Sequence, residues 1–156
     1  MTMSSTETDR IERSIYIKAP RSRVWRAVSN AEEFGSWFGA TLTGQTFAPG
    51  QRALGTVTGC GHGEVMFDVI VEKVEPESLM SYRWHPYSID QSIDYSKEER
   101  TLVTFTLKDA DGGTLLTVVE SGFDKVPPNR RQEALRMNDR GWEAQLKKIE
   151  RHAATQ

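Results

Sequence analysis

The spacing of hydrophobic residues changes three times along the chain, and each change predicts a new kind of element. Alternating isoleucines predict a strand over Ile11–Lys18. Pro20 suits the first turn of a helix because it has no amide hydrogen to leave unpaired, and helical spacing continues to Ser29. A second short helix is predicted over Ala31–Phe38, whose aromatic residues need a buried environment.

The middle of the chain, residues 40–121, has a period of two with recurrent turn residues, which is typical of an antiparallel sheet. The predicted strands are Thr41–Thr46, Gln51–Thr58, Glu64–Val74, Leu79–Trp84, Thr101–Lys108 and Thr114–Ser121. Alternation assigns three apolar sets to one face, which we expect to be concave. They are Val65, Phe67, Val69 and Val71; Met80, Tyr82 and Trp84; and Val103, Phe105 and Leu107.

The connection His85–Arg100 joins two of these strands without strand periodicity. Loops of this length are typically functional or disordered. Its two tyrosines, Tyr87 and Tyr95, favour a partly ordered flap near the open end of the sheet.

A long amphipathic helix is predicted from Asn129 to about Arg151, beginning with a capping-box variant of Asn129 and Gln132. Gly141 lies in its middle, where glycine costs about 1 kcal/mol relative to alanine. We therefore expect the missing Cβ to let a neighbouring backbone or ring approach, and Trp142 to bury a large surface. One stripe of the helix carries Leu135, Asn138, Trp142, Leu146 and Ile149. A curved sheet gripping this helix, an α+β fold, would bury the stripe and could leave a ligand cavity.

Composition narrows the class of protein. The 156 residues are expected to form one domain, residues 11–152, after a polar tail over residues 1–10. A net charge of −2 argues against nucleic acid as a partner. The single cysteine, Cys60, excludes an intramolecular disulfide, and no apolar run is long enough for a signal-peptide core or a membrane span. We therefore expect a cytoplasmic protein.

Several short motifs occur in an order that is more specific than any one of them. They are Ala19-Pro20, Val24-Trp25, Trp37-Phe38, Pro49-Gly50, Tyr82 with Trp84, Gly113-Thr114 with Leu116-Thr117, Ser121-Gly122-Phe123 and Gly141-Trp142. From Ile11 to Ile149 the chain thereby resembles the helix-grip superfamily of START-like proteins, also called SRPBCC. The branch it resembles is related to activators of the ninety-kilodalton heat-shock-protein ATPase. Within that branch, residues 84–87, 94–96 and 136–138 resemble a bacterial subgroup whose function is not established.

The resemblance implies the helix-grip fold of START and Bet v-like proteins. Members of the superfamily bind lipids, sterols or polyketides between the C-terminal helix and the sheet, and a few are cyclases or other enzymes. It therefore implies a small protein that holds an apolar or aromatic molecule in a cavity. Two alternatives stay open: a co-chaperone-like regulator of the heat-shock ATPase that acts through its outer surface, and a cavity-based cyclase or isomerase of aromatic or polyketide-like substrates.

A ring-rich set of residues is the strongest candidate for the ligand site. It comprises Trp37, Phe67, Tyr82, Trp84, Phe105, Leu135, Asn138 and Trp142. A filled core explains each of them singly, but a sheet and a helix that enclose so many rings often leave an apolar pocket. Tyr82 and Asn138 would then orient the ligand, because a buried polar side chain needs a partner.

His85 and Glu120 are the catalytic candidates. His85 could act as a general base if Asp90, Asp94 or Glu120 oriented it. The alternative is a strand-end histidine bonded to backbone or water. Glu120 stands where the superfamily often has histidine, which argues against histidine chemistry at that position. No nucleophile elbow is present, so the sequence does not favour an enzyme.

No metal or cofactor is expected. Cys60 and His62 lie two residues apart in a glycine-rich stretch, but zinc needs three or four ligands, and a hairpin loop is the better interpretation. One cysteine and three histidines are too few for a two-iron cluster, which needs about four thiolate or imidazole ligands. The sequence also lacks a GxGxxG turn for flavin or nicotinamide.

Overall fold

The computed structural model describes residues 10–57, 65–87 and 94–154. Within them, six strands form one curved antiparallel sheet in the spatial order β1-β6-β5-β4-β3-β2. The strands are β1 Arg10–Ile17, β2 Arg52–Val57, β3 Val65–Glu75, β4 Leu79–Trp84, β5 Thr101–Ala110 and β6 Gly113–Ser121. The helices are α1 Arg21–Ser29, α2 Ala31–Phe38 and α3 Pro128–Ala154, with single 3₁₀ turns at Tyr95–Lys97 and Phe123–Lys125. The sheet curves around α3, which confirms the α+β helix-grip architecture.

The central strands owe their pairing to a tight turn and to alternation. Asp111 and Gly112 connect β5 to β6 with φ values of 46° and 80°, the two positive angles that a type I′ hairpin turn requires. The concave face of the sheet is apolar, because Phe67, Met80 and Phe105 are all at most 2% exposed. As predicted, alternate residues of β3, β4 and β5 face the core.

The predicted strand Thr41–Thr46 is absent. Only Ala40 forms a bridge, to Val57, and the next residues turn away at Gly44, whose φ is 78°. The segment is held by the buried side chain of Leu42 and by a backbone hydrogen bond from Thr41 N to the Thr56 carbonyl, 3.0 Å long. A glycine at positive φ therefore turns the chain inside the segment where alternation alone predicted a strand.

Helix α2 brings aromatic residues to the sheet and has a signal at each end. The side chain of Asn30 accepts a hydrogen bond from Glu33 N at 3.0 Å, which caps the first turn. Gly39 ends the helix in the left-handed conformation at φ 98°. Gly35 is needed because a Cβ there would collide with the carbonyl oxygen of Ala40. The helix is therefore fixed closely against the segment that follows it.

Two predictions for α3 are wrong. The helix begins at Pro128, so Asn129 lies inside the first turn and does not cap it. Gly141 is exposed, and a Cβ at this position would meet no atom within 4 Å, so no backbone or ring uses the missing side chain. Trp142, the next residue, is nevertheless 2% exposed and faces the sheet. The close approach that we inferred from the glycine belongs to the tryptophan alone.

Helix α3 is also fastened to the edge strand β1. The guanidinium of Arg13 donates two hydrogen bonds to the carboxylate of Asp139, 2.7 Å and 3.1 Å long. Arg13 interrupts the apolar face of β1 in the sequence, and this contact explains why. The pair holds the middle of α3 over the β1 edge, directly beside Asn138.

Candidate functional site

A single row of residues crosses the concave face, and two of its members are polar. The strand register pairs Val71 with Tyr82, Tyr82 with Val103, Val103 with Glu120, and Glu120 with Ile11. Directly paired residues project from the same face of a sheet. Tyr82 and Glu120 therefore stand two strands apart in an apolar row beneath α3.

The carboxylate of Glu120 is completely buried and accepts hydrogen bonds from four side chains. Trp84 Nε1 and Thr101 Oγ1 donate to Oε2 at 2.8 Å and 2.6 Å. Trp142 Nε1 donates to Oε1 at 2.8 Å, and Asn138 Nδ2 lies 3.0 Å from Oε1 and 3.2 Å from Oε2. A carboxylate has about four lone-pair sites, so these donors satisfy it in the ionised form.

These four donors join the helix to the sheet. Trp84 and Thr101 belong to paired strands, whereas Asn138 and Trp142 lie one turn apart on α3. The two indoles also stack on each other, with ring centroids 5.7 Å apart and planes 29° apart. Glu120 therefore links α3 to the sheet through hydrogen bonds, in an aromatic environment. We define these five residues as the Glu120 network.

The electrostatics of the Glu120 network are unusual because no cation balances the carboxylate. Among the described residues, no Arg, Lys or His side chain forms a hydrogen bond or ion pair with Glu120. Burial raises the pKa of Glu120, although its hydrogen bonds with Thr101, Trp84, Trp142 and Asn138 oppose the rise. The carboxyl group is therefore easier to protonate than an ordinary glutamate.

Tyr82 is the second polar group of the row, and its hydroxyl is unsatisfied. The residue is fully buried, and among the described residues Oη has no hydrogen-bond partner. Burial, followed by the charge of Glu120, raises the pKa of Tyr82 well above its ordinary value, so the phenol stays protonated. This side chain keeps an available donor deep under α3.

Aromatic rings surround this row and contact one another. Eight further rings take part in a network whose centroids lie 4.5–6.2 Å apart. They are Phe34, Trp37, Phe38, Phe47, Phe67, Trp84, Phe105 and Trp142. The network connects Phe67, Tyr82, Trp84, Phe105 and Trp142 of the predicted site. Trp37 also belongs to it through Phe34, while its Nε1 donates to the Ala27 carbonyl at 2.8 Å.

Exposure divides the apolar side chains of the predicted site, together with Phe38, into a floor and a rim. The floor consists of Phe67, Tyr82 and Phe105, which are 0–2% exposed. The rim consists of Phe38, Trp84 and Leu135, which are only partly buried, as is Asn138. Ring contacts link the rim to the floor: the centroids of Phe38 and Phe67 lie 5.1 Å apart and those of Trp84 and Tyr82 lie 5.2 Å apart. Trp84 also belongs to the Glu120 network.

His85 is directed away from the Glu120 network. It follows Trp84 directly at the end of β4, and its Nε2 lies 3.0 Å from the backbone carbonyl of Glu98. Burial lowers the pKa of His85, so the neutral ring donates this hydrogen bond. Asp94 bonds to Ser96 within its own turn, and Asp90 is outside the described residues. The described geometry does not bring His85 together with a carboxylate that could orient it.

The described part of the 85–100 connection is fastened to the first turn of α3 through Arg130. Its guanidinium donates to Glu98 Oε1 at 2.7 Å and to the Pro86 carbonyl at 2.9 Å, and it lies 4.8 Å from the ring centroid of Tyr95. Tyr87, next to Pro86, packs against the core. These contacts join the described ends of the connection to the start of α3, and its role as a flap stays a prediction.

A second carboxylate cluster joins the helices far from this site. Glu33 accepts hydrogen bonds from Arg23, Arg26 and His152 at 2.7–2.9 Å. Burial on its own would raise the pKa of Glu33, but these donors and the charge of Arg23 outweigh it and lower the pKa. The cluster ties α1 and α2 to the C-terminal end of α3.

Sequence reasoning missed Thr101, whose hydroxyl donates the shortest hydrogen bond to Glu120. Its position at the start of β5, directly opposite Trp84, is the one sequence signal that could have found it.

In the part of the chain that the structure describes, no three His, Cys, Asp or Glu side chains meet in a group that could hold a metal. Cys60 and His62 fall outside that part.

The fold and the position of the site between helix and sheet define an SRPBCC protein of the helix-grip type. A family model described as Activator of Hsp90 ATPase homolog 1-like protein matches residues 18–154, and the chain belongs to this family. No functionally curated protein gives a significant match. None of the described helices is long and apolar enough to cross a membrane.

Solved structures share the fold over most of their length. Protein MLL2253 from Mesorhizobium loti is 25% identical, with a TM-score of 0.70 over 92% of this chain and 95% of that one. A protein from Arthrobacter aurescens reaches a TM-score of 0.78 at 15% identity, covering 97% of this chain and 89% of its own. The Aha1 dimer from Colwellia psychrerythraea has a TM-score of 0.63 at 15% identity, over 90% and 92%.

Proposed function

We propose that this protein binds a small apolar or aromatic molecule between α3 and the concave face of the sheet. The observation that carries the proposal is the chain of ring contacts that links the partly exposed rim to the buried floor. Binding sites for small molecules are mostly apolar with a few placed polar groups, and Glu120, Asn138 and Tyr82 are such groups here. The ligand displaces rim side chains, because the rings contact one another without it.

Glu120 organises this site and does not react in it. Its oxygens already accept four hydrogen bonds from protein side chains, so a substrate atom could reach the carboxylate only after a donor had left. Neither His85 nor another described basic side chain accompanies it. Binding without covalent chemistry is therefore the function that the geometry supports best.

The test is a ligand screen with a blocked variant. Saturation-transfer NMR with neutral naphthalenes, long-chain alcohols and sterols should identify compounds that bind the wild-type protein. Leu135→Trp fills the rim and should weaken binding by about tenfold or more, because a side chain then occupies the mouth of the site. Glu133→Trp places the same side chain on the exposed side of α3 and should leave binding unchanged. Absence of binding by every compound, or equal binding by both variants, would contradict the proposal.

Family membership favours a second candidate, regulation of the ninety-kilodalton heat-shock ATPase through an outer surface. Leu54, Met66 and Ile70 are exposed apolar residues that share the outer face of β2 and β3. If they contact the ATPase, the protein should change its ATP hydrolysis rate and Met66→Glu should abolish the change. An unchanged rate with the wild-type protein would eliminate this candidate.

A further inference from the structure

We infer that the hydroxyl of Tyr82 is the ligand's hydrogen-bond anchor, and that the ligand is an uncharged aromatic or apolar molecule with an oxygen acceptor such as a ketone or ester carbonyl. This inference rests on the proposed function and adds to it the chemical class of the ligand. It depends on which polar atoms beneath α3 are already paired and which are not.

The polar side chains of the Glu120 network are already paired with one another. Glu120 accepts from Trp84, Thr101, Asn138 and Trp142, so those donors are directed at the carboxylate. Tyr82 stands in the same row of the sheet, yet its Oη has no partner among the described residues. It is therefore the polar atom of the buried floor that is ready for a ligand.

None of the described residues around Tyr82 accepts a hydrogen bond from its hydroxyl. Its ring is packed among Phe34, Phe67, Trp84 and Phe105, with centroids 5.2–6.2 Å away. These aromatic rings pack against the ring of Tyr82 and leave its hydroxyl unpaired. A buried hydroxyl without a partner is destabilising, and phenylalanine would fill the same space without that cost. The hydroxyl thus has no structural function that the described contacts reveal.

The charge balance selects an uncharged acceptor. Tyr82 is held in its protonated form by burial and by Glu120, so it donates. A carboxylate ligand would add a second negative charge near Glu120. The neighbouring cations are engaged elsewhere, Arg13 with Asp139 and Arg130 with Glu98. A ketone or ester oxygen accepts the phenol hydrogen without an unbalanced charge.

The experiment compares three probes of nearly the same shape: 2-acetylnaphthalene, 2-ethylnaphthalene and 2-naphthoate. Affinities for the wild-type protein and for Tyr82→Phe are measured by NMR titration. We expect the wild-type protein to bind the ketone about three- to tenfold more tightly than the hydrocarbon, the range of one buried hydrogen bond, and to bind naphthoate most weakly. Tyr82→Phe should bring the ketone to the affinity of the hydrocarbon while the melting temperature stays equal or rises.

Tyr16→Phe is the matched control. The Tyr16 hydroxyl donates to the Asp111 carbonyl at 2.8 Å on the exposed surface, so its removal should leave all three affinities unchanged. A ketone preference that survives in Tyr82→Phe, equal binding of ketone and hydrocarbon by the wild-type protein, or tightest binding of naphthoate would overturn the inference and leave the proposed function standing. Failure of all three probes and of the wider screen would overturn the proposed function itself.

Discussion

Glu120 and Glu33 are two glutamates that join helices to the rest of the fold by opposite means. Glu120 is fully buried and receives hydrogen bonds from neutral donors alone, whereas Glu33 keeps 26% of its side chain exposed and meets Arg23, Arg26 and His152. Their pKa values move in opposite directions, up for Glu120 and down for Glu33.

The contrast distinguishes a structural tie from a candidate binding site. Cations balance Glu33 at modest cost, which is an ordinary way to connect surface helices. Burial of a charge that only neutral dipoles stabilise carries a large desolvation free energy. A core in which apolar residues replace the charge and all its partners is often at least as stable. The combination of such a group with an unpaired Tyr82 hydroxyl in the same row is what marks the region under α3 as functional.

Replacement of Glu120 by Leu should have the largest effect on stability. The substitution removes the acceptor of both indole N–H groups, and each buried donor left unpaired costs about 1–3 kcal/mol. We expect a loss of at least about 3 kcal/mol in the free energy of unfolding, measured by urea denaturation at neutral pH. Glu33→Leu is the comparison, with a smaller expected loss of about 1–2 kcal/mol, because Arg26 stays hydrated and buried Arg23 keeps its hydrogen bond to the His152 carbonyl. Equal losses in the two variants would remove the distinction between the regions.

The pH dependence of stability should have opposite signs in the two regions. The pKa of Glu120 is raised on folding, so its contribution is most favourable at low pH and falls as pH rises from the ordinary value of 4.5 through the raised one. The pKa of Glu33 is lowered on folding, so its contribution is present above 4.5 and is lost as pH falls through the lowered value.

Two Gln variants measure these contributions separately. Compared with the wild-type protein, Glu120→Gln should become relatively more stable as pH rises, and Glu33→Gln should become relatively more stable as pH falls. Urea unfolding between about pH 3 and pH 8 gives both curves. Parallel curves for the two variants would show that the neutral donors around Glu120 stabilise its charge as fully as cations stabilise Glu33.

Asn138→Ala should have a moderate effect confined to the Glu120 network. It removes one of four donors to the carboxylate and leaves the two indoles in place, so we expect a loss of about 1 kcal/mol. Because one stabilising donor is gone, Glu120 should also titrate at higher pH, which a carboxyl ¹³C titration would detect. An unchanged pKa would mean that Asn138 makes no effective hydrogen bond.

Gly141→Ala should have the smallest effect and the opposite sign. The position is exposed, helical and free of nearby atoms, so alanine should raise stability by about 0.5–1 kcal/mol, measured as a higher urea midpoint. The variant offers a stabilised background in which the Glu120 substitutions stay folded. Gly35→Ala is the contrasting control, because its Cβ would collide with the Ala40 carbonyl and should destabilise the protein.

Hydrophobic periodicity predicted most of this fold because burial on one face dictates alternation in strands. The prediction of a strand over Thr41–Thr46 was wrong because Gly44 turns the chain at positive φ, and the alternation of apolar residues does not indicate such a turn. Gly141 was misinterpreted because a glycine that accommodates a neighbour and a glycine that merely lowers helix stability look the same in a sequence.

The site was only partly predictable for a related reason. Tyr82, Trp84, Asn138 and Trp142 were expected near a ligand, but the convergence of the last three on Glu120 depends on the register of β4, β5 and β6 and on where α3 crosses them. Glu120 is 36 residues from Trp84 and 22 from Trp142 along the chain. No local pattern encodes a contact at such separations, so the hydrogen-bonded network emerged only from the folded structure.

The indole N–H spectrum tests most directly whether a ligand binds beneath α3. Of the four tryptophans, Trp84 and Trp142 belong to the proposed site, whereas Trp25 and Trp37 are outside the Glu120 network. A ¹H–¹⁵N titration with 2-acetylnaphthalene should shift the indole signals of Trp84 and Trp142 along one binding curve. The signal of Trp25 should stay fixed, and that of Trp37, bonded to the Ala27 carbonyl, should move little. Stationary signals from Trp84 and Trp142, or an equal shift of Trp25, would contradict a ligand site beneath α3.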